Sequence, residues 1–523
     1  MCGCMAYSLL GSSPSRGRRS NFVAYAVDGP AHAPGACIAG AAAASPRGAT
    51  PRPVLFAGAR VVNPGDGTCS EPMDILVRNG RIAGVSPAGS TLEAADADRI
   101  SVDGKYVTPG FLDMHVHTLT MPEPESAFEL MLANGVTGFR QMGGAFALLA
   151  ARKTDDLPIP AASPALLAMP GEVLLPTNAG TPEMAVATVR AQHQAGADFI
   201  KVGVVTPQAF FAAQAEAQSL GIPIVGHLPI GIEVVAVSQG GMKSIEHLGP
   251  GVGILAACSS DEAGVRAALA KRPALPGGML LRLPFAARLL APLLQRLLIN
   301  PAVMSRPEDI EILAHAIDTF DEAKCRDLAE RFAADGTWQS PTLIRLKTQE
   351  LCDATEFSQS PDLRYMQPST LKQWASVTNS FRKLPERTRT TLAKAYALQL
   401  RVTKLFADAG VKMIASSDVG GAGWEIPGCS LHREFDELER AGVSPLRVLQ
   451  MTTSDAAEFL DAADSMGTVE AGKVADLVFL DADPLWSVQN LHKISGVARA
   501  GTYYAKADLE AIKERTAAAR SVH

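Results

Sequence analysis

The segment FLDMHVHT has the most chemically suggestive spacing in the chain, with Asp113, His115 and His117 at every second position. Side chains two residues apart in a β-strand point to the same face, so these three groups project together. Two adjacent imidazoles on one face can begin a transition-metal site. Two histidines hydrogen-bonded inside a core would give the same pattern, so this segment alone leaves both interpretations open.

A lysine, Lys201, lies inside the apolar segment FIKVGV. Burying an ammonium group without a partner is costly, and an ion pair with a distant carboxylate would offset that cost. The functional interpretation is reaction of the amine with CO2. The resulting carbamate is an anion that can bridge two cations.

Three further side chains that can bind metal follow short apolar segments. His227 lies in IVGHLP, His247 in SIEHLG, and Asp418 in IASSDVGG before a glycine-rich turn. Each of them alone fits an ordinary structural role. Considered with Lys201 and the first segment, they favour a shared metal site.

Eight short apolar segments alternate with helical stretches and are the candidate strands that position these groups. They are 111–118, 137–143, 164–169, 199–204, 223–228, 244–249, 337–344 and 412–419. This alternation predicts an α/β fold with a (β/α)8 TIM barrel. The C-terminal ends of barrel strands converge at one mouth, where barrel active sites lie. The candidate ligands are therefore expected to meet there.

Strand patterns on both sides of the barrel region predict a second unit. Two N-terminal segments alternate like half-buried strands around a hairpin turn at Asn79-Gly80, and a further strand pair is expected around Asp103-Gly104. Strand patterns return after the barrel. The expected domains are a disordered or low-complexity extension at 1–52, a composite β-sandwich from 53–107 and 465–505, the barrel at 108–464 with helical insertions at 252–335 and 345–400, and a C-terminal helix at 506–523.

Composition excludes several classes of protein. The 523 residues include 48 Lys+Arg and 54 Asp+Glu, so a net charge of −6 provides no basic field for nucleic acid. No apolar run reaches the ~18 residues of a transmembrane helix. The sparse cysteines favour a reducing, cytoplasmic location. Arg16, Arg18 and Arg19 precede a short apolar stretch, which leaves an export signal as the alternative.

The order HxH, Lys, His, His, Asp on successive strands resembles the amidohydrolase superfamily in its binuclear-metal subtype. The surrounding segments TPGFLDMHVHT, GVTGFRQMGG, QAGADFIKVG, GHLP, SIEHLG, ASSDVGG and GTVEAGKVADLVFLD are similar to one branch of it. That branch contains imidazolonepropionase-like and Xaa-Pro dipeptidase-like proteins. The resemblance covers roughly residues 53–485, without the insertions.

The resemblance implies two divalent metal ions, expected to be zinc, and CO2 bound as a carbamate on Lys201. One ion would be held by His115, His117 and Asp418, and the other by His227 and His247. Carbamylated Lys201 and a hydroxide would bridge both ions.

Three residues receive further roles from the resemblance or from their position. Asp418 would accept a proton and pass it to the leaving amine. Asp113 would lie below the ligands and orient an imidazole. Arg140 ends the second candidate strand, where it would either bind a substrate carboxylate or form a structural ion pair.

The implied activity is hydrolysis of a carboxamide bond in a small molecule with an apolar part, such as an N-acyl amino acid or a dipeptide. Hydrolysis of a cyclic amide or lactone is the alternative, and a non-catalytic interaction scaffold is a third hypothesis. Deaminase relatives carry Glu where Ile230 stands, three residues after His227, and lack the bridging lysine. Leu228 and Pro229 stand where dipeptidase-like members often carry a tyrosine. A homo-oligomer is compatible with the sequence.

Overall fold

The computed structural model describes residues 52–90, 94–271 and 296–521. The extension expected at 1–52 lies, apart from Arg52, outside the described residues. Within these ranges, no helix combines the length and apolar character needed to cross a lipid bilayer.

Strands from both ends of the chain form one eight-stranded sheet. They are β1 (Val54–Val62), β2 (Cys69–Arg78), β3 (Arg81–Pro87), β4 (Asp98–Ser101), β5 (Tyr106–Pro109), β13 (Leu477–Leu480), β14 (Ile494–Arg499) and β15 (Thr502–Ala505). Their order is β15-β14-β13-β5-β1-β2-β3, with β4 also paired to β1. Phe56, Ile75 and Phe479 pack together in the core of this unit. A β-rich unit from both ends was predicted, while its domain bounds stay a prediction.

The strand pair predicted around Asp103-Gly104 is wrong in its partners. β4 and β5 both run parallel to β1 instead of pairing with each other. The turn between them packs against Gly58 of β1, where an added Cβ would lie 1.8 Å from Asp103 Oδ1. Because Gly58 has no side chain, one long strand can accept β4 along its first half and β5 along its second.

Parallel strands in the middle of the chain form two arcs. The first arc contains β6 (Phe111–Val116), β7 (Val136–Gln141) and β8 (Ala165–Ala168), and the second contains β9 (Ile200–Val202), β10 (Ile224–Gly226), β11 (Ser244–Glu246) and β12 (Trp338–Ser340). Isolated parallel bridges join Leu174 to Val202, Gln339 to Met413 and Val116 to Val419. These bridges connect the arcs into the predicted barrel arrangement, although no continuous closed sheet runs through the described residues.

Residues 412–419 do not form the eighth strand that the sequence predicts. Only Met413 and Val419 form bridges there. The backbone of Asp418 has φ +57°, which is incompatible with a β-strand. Its N–H still donates to His115 O at 2.8 Å, so this segment remains attached to the first strand of the ring.

Helices surround the ring and form the described parts of both insertions. In chain order they are α1 (Pro124–Ala133), α2 (Phe146–Lys153), α3 (Pro182–Ala195), α4 (Pro207–Ser219), α5 (Val234–Gln239), α6 (Gly253–Ala257), α7 (Glu262–Ala270), α8 (Pro307–Asp318), α9 (Glu322–Asp335), α10 (Leu343–Glu350), α11 (Thr355–Ser358), α12 (Pro368–Phe381), α13 (Glu386–Asp408), α14 (Cys429–Arg440), α15 (Pro445–Met451), α16 (Ser454–Phe459) and α17 (Lys506–Ser521). The 23-residue α13 contacts both α8 and α10. The two insertions therefore pack together over one side of the ring.

Candidate metal centre and active site

Three of the six candidate ligands, all of them histidines, lie close to a fourth candidate, Asp418. His115 Nε2 and His117 Nε2 lie 3.1 Å and 3.3 Å from Asp418 Oδ1, and His247 Nε2 lies 3.8 Å from Oδ2. One ligand atom from each of His115, His247 and Asp418 lies within 4.8 Å of the other two. All four side chains are buried. Imidazole and carboxylate groups in this arrangement are suitable ligands for zinc and similar divalent ions.

The other two candidates, His227 and Lys201, lie beside this group. The ring centroids of His227 and His247 are 5.4 Å apart. His227 follows β10, Lys201 lies on the adjacent β9, and the His227 N–H donates to Val202 O at 3.0 Å. An added Cβ on Gly226 would lie 2.3 Å from Val202 O, so only glycine allows this approach. All six predicted ligands therefore converge at one end of the ring, while their roles stay a prediction.

Lys201 is the most unusual member of the group. Its side chain is fully buried, and Nζ has no hydrogen-bond partner among the residues that the structure describes. The pKa of His115 is raised, because Asp418 and Glu246 outweigh burial and the positive charge of Lys201, both of which lower it. A buried ammonium group without hydrogen bonds is strongly disfavoured, so this geometry fits a chemically altered amine better than a free one.

His115 and His247 are each anchored through the ring nitrogen Nδ1. In both rings the second nitrogen, Nε2, is directed at Asp418. His115 Nδ1 lies 2.8 Å from Glu246 Oε2, and His247 Nδ1 is hydrogen-bonded to Thr342 Oγ1. Metal-binding histidines are typically anchored in this way by a second group. The side chains around the ligands therefore fit a metal centre.

Glu246 connects the ligands to Arg140. Arg140 Nη2 donates to Glu246 Oε1 at 2.9 Å, and its Nε donates to Met114 O at 2.6 Å. Burial raises the pKa of Glu246, but the Arg140 guanidinium and His115 outweigh burial and hold that pKa well below its usual range. Arg140 is 1% exposed and lies over the ring of Phe459. The structure therefore shows Arg140 in the ion pair that was one of its two interpretations, while substrate binding by Arg140 stays a prediction.

Asp113 has a different contact from the one expected. Its carboxylate accepts hydrogen bonds from Ser417 N at 3.0 Å, Ser417 Oγ at 2.6 Å and His115 N at 3.4 Å. Burial raises the pKa of Asp113 to about 6, although these hydrogen bonds oppose the increase. Asp113 thus fixes the backbone next to Asp418, and the imidazole of His115 is oriented by Glu246 instead.

Strained backbone is concentrated at this end of the ring. Asp418, His247 and Thr342 have φ values of +57°, +56° and +47°. A left-handed conformation costs a non-glycine residue ~1–2 kcal/mol. Such residues cluster at functional sites, where the surrounding structure maintains them.

A cavity of about 220 Å³ opens beside His227 and His247. Most of its wall is apolar, and Leu228, Ile232, Val252, Ile310 and Leu346 are among the lining residues. Arg345 also lines the cavity, and its Nε lies 3.1 Å from Asp418 Oδ2. An apolar cavity with a few placed polar groups is the usual form of a small-molecule site.

Comparison with known families matches residues 398–505 to the amidohydrolase family. The matched region contains Asp418 together with β13, β14 and β15. Over these residues the chain is similar to the amidohydrolase family. Dihydroorotase from Trichlorobacter lovleyi is 39% identical to this chain over 64 residues, which are 12% of this chain and 14% of that relative. The aligned segment is thus a small part of both proteins.

Solved structures share the fold of this chain over most of its length. Bottromycin amidohydrolase has a TM-score of 0.65 at 24% identity and covers 90% of this chain and 91% of its own. A Xaa-Pro dipeptidase with methionine bound in its active site has a TM-score of 0.55 at 16% identity, covering 87% of this chain and 100% of its own. At these identities the likeness establishes the fold.

Sequence reasoning missed three residues that contact the candidate ligands: Glu246, Thr342 and Arg345. Glu246 had a usable signal, because a carboxylate inside the apolar segment SIEHLG is as anomalous as Lys201 in FIKVGV. Thr342 follows a strand end and Arg345 lies in an insertion helix. No spacing pattern distinguishes either of them from an ordinary surface residue.

We expect Glu246→Gln to weaken metal binding by roughly 10–100-fold, because His115 loses its charged anchor. The free energy of unfolding should fall by about 3–5 kcal/mol, because Arg140 then stays buried without a carboxylate partner. Metal titration and denaturant unfolding measure the two effects. Glu434→Gln is the matched control, since Glu434 is also fully buried but accepts a hydrogen bond from Ile344 N at 2.8 Å. Equal metal affinities in wild type and Glu246→Gln would contradict the anchoring role.

Proposed function

We propose that this protein is an amidohydrolase that binds two divalent metal ions, expected to be zinc, and hydrolyses a carboxamide bond of a small molecule. The observation that carries the proposal is the buried Lys201 amine in one group with four buried histidines and Asp418. Carbamylation would replace its positive charge with a negative one and supply two ligand oxygens. Lys201, His115, His117, His227, His247 and Asp418 would then form the ligand set.

Carbamylation of Lys201 would change the charge balance of this region in a way that calls for bound cations. Without carbamylation, the carboxylates of Asp418, Glu246 and Asp113 face the cations Arg140, Arg345 and Lys201, and the region is close to neutral. Conversion of Lys201 to a carbamate makes the region anionic. Buried charges are retained only when they are paired or coordinate metals, so an anionic pocket of this kind requires bound cations.

The residues of this chain would perform the proton transfers. Bound divalent metal ions would supply water activation near neutral pH and polarisation of the substrate carbonyl. Asp418 would accept the proton released by the attacking water and deliver it to the nitrogen of the scissile bond. That delivery is necessary because an amide anion is a very poor leaving group. Arg345, through its contact with Asp418 Oδ2, would keep the carboxylate oriented.

The cavity favours a substrate with an apolar part, such as a dipeptide or an N-acyl amino acid. The fold shared with a Xaa-Pro dipeptidase that binds methionine supports amino-acid derivatives as the first compounds to test. Product analysis separates amide from cyclic substrates, because a linear amide gives an acid and an amine whereas a ring opens to a single molecule.

We expect about two transition-metal ions per chain when the protein is purified without chelator and analysed by elemental mass spectrometry. Removal of the metal should abolish hydrolysis, and return of metal with bicarbonate should restore it. A single ion per chain would contradict the bridged site and leave Lys201 without its proposed role. A protein that neither contains nor regains metal would favour the non-catalytic scaffold.

A further inference from the structure

A second buried carboxyl group lies in the wall of the cavity, on the helix that also carries Arg345. Glu350 ends α10, is 4% exposed, and lines the cavity together with Leu346 and Gln349. Its Oε1 accepts a hydrogen bond from Gln399 Nε2 at 3.0 Å. Its Oε2 has no hydrogen-bond partner within the described ranges. The mechanism proposed above does not use this residue.

Among the residues that the structure describes, Gln399 is the one hydrogen-bond donor found for the Glu350 carboxyl group, although the charge of Arg345 also acts on it. Arg345 Nε is 3.1 Å from Asp418 Oδ2, so that part of the guanidinium is directed at the metal centre. Gln399 Oε1 is likewise a buried acceptor without a partner among the described residues. When Glu350 is ionised, two adjacent side chains thus offer acceptor oxygens without a partner among the described residues, and buried polar atoms are normally hydrogen-bonded. The missing partner is expected to be rich in hydrogen-bond donors.

We propose that Glu350 determines specificity by binding the ammonium group of an aminoacyl substrate. This inference rests on the proposed amide hydrolysis and narrows it: the acyl part carries a free amine, as in a dipeptide, and an apolar side chain that the cavity wall contacts. N-acyl amino acids lack that amine. They would bury the Glu350 carboxyl without supplying a donor and would therefore bind less well.

The electrostatics of the cavity agree with this assignment. Burial raises the pKa of Glu350 to about 8, although the Gln399 hydrogen bond and Arg345 lower it. Without a cation beside it, the carboxyl group is therefore largely protonated near neutral pH. A bound ammonium group would favour the ionised form and gain a charge-assisted hydrogen bond, which is stronger than a neutral one.

The test compares two pairs of probes that differ only in the amine. One pair is L-leucyl-L-leucine and 4-methylpentanoyl-L-leucine as substrates, and the other is L-leucine and 4-methylpentanoate as ligands of the metal-loaded protein. Wild type should favour the amine-bearing member of each pair by roughly 10- to 150-fold in kcat/KM or Kd, the range for a hydrogen bond to a charged group. Glu350→Gln should reduce the preference to within about threefold.

Glu350→Gln is isosteric and keeps an acceptor for Gln399, so its fold is expected to survive, and melting temperature and metal content verify this. Asp309→Asn is the control. The Asp309 carboxylate already lies 3.4 Å from Arg306 Nε, and its removal should leave the amine preference unchanged.

The binding measurements test the proposed role of Glu350, and the hydrolysis measurements test the proposed amide hydrolysis, so failure of one can be told from failure of the other. A preference for L-leucine that Glu350→Gln removes, without hydrolysis of either amide, would support the amine site and contradict the proposed reaction. Hydrolysis of both amides at similar rates, or the same preference in wild type and Glu350→Gln, would overturn the role of Glu350. Failure of wild type to bind L-leucine more tightly than 4-methylpentanoate would also overturn it.

Discussion

Asp418→Asn is expected to lower kcat by at least 10²–10⁴-fold, the contribution of a positioned general acid–base group. Asparagine preserves the shape of the side chain but cannot accept and return a proton. The loss should be larger still if metal binding weakens, because Asp418 lies within hydrogen-bond distance of both His115 and His117. Steady-state hydrolysis of a substrate identified by the compound panel measures the effect.

Asp418 has two proposed roles, metal binding and proton transfer. Measuring the metal content of the variant and varying the leaving group of the substrate distinguish them. If proton delivery dominates, Asp418→Asn with full metal occupancy should lose less activity on an ester or an anilide with a good leaving group than on an alkyl amide. Asp461→Asn is the control, since Asp461 pairs with Lys243 at 3.0 Å on the exterior. A fully metallated Asp418→Asn variant with wild-type kcat on an alkyl amide would exclude the proton-transfer role.

The ligand positions could be predicted from the sequence because they follow local rules. Alternation in FLDMHVHT determines which side chains share a face, and the end of each short apolar segment marks the mouth of a barrel. His115, His117, Lys201, His227, His247 and Asp418 accordingly converge. The alternation of strands and helices was likewise sufficient for the fold class.

Contacts set by tertiary structure could not be predicted in the same way. The Glu246–Arg140 ion pair joins β11 to β7, and Arg345 reaches Asp418 from an insertion helix. No sequence spacing connects these residues. The prediction that β4 pairs with β5 was wrong for a related reason. The turn between these strands packs against Gly58 of β1, and this contact between distant segments is not visible in the local turn motif.

The same distinction explains the eighth segment of the ring. Its composition is that of a strand, yet Asp418 takes a left-handed conformation held by its N–H bond to His115 O and by the hydrogen bonds of Asp113 to Ser417. These tertiary contacts therefore override the β-strand propensity of the segment and direct the Asp418 carboxylate at the histidines. The strand prediction thus fails at Asp418, the residue for which both metal binding and proton transfer are proposed.

Lys201→Met is expected to reduce metal occupancy and to lower activity by more than ~100-fold, the upper loss seen when only a supporting residue is removed. Methionine has a similar length and can fill the same buried space, but it cannot form a carbamate. The metal-free variant should nevertheless be more stable than the metal-free wild type, by about 1–4 kcal/mol, because a buried charge is replaced by an apolar group. Elemental analysis and denaturant unfolding of both apoproteins measure these opposite effects.

Lys201→Ala provides the matched comparison for the bridging role. It also removes the amine, but it leaves a void into which a small carboxylate such as acetate can bind and take the place of the carbamate oxygens. Acetate should therefore restore metal binding and part of the activity in Lys201→Ala, and neither in Lys201→Met, where the space is filled. Full activity in either variant without added carboxylate would refute the bridging carbamate. Lower apoprotein stability in Lys201→Met would instead show that the native amine has a favourable partner, so the buried amine could no longer support carbamylation.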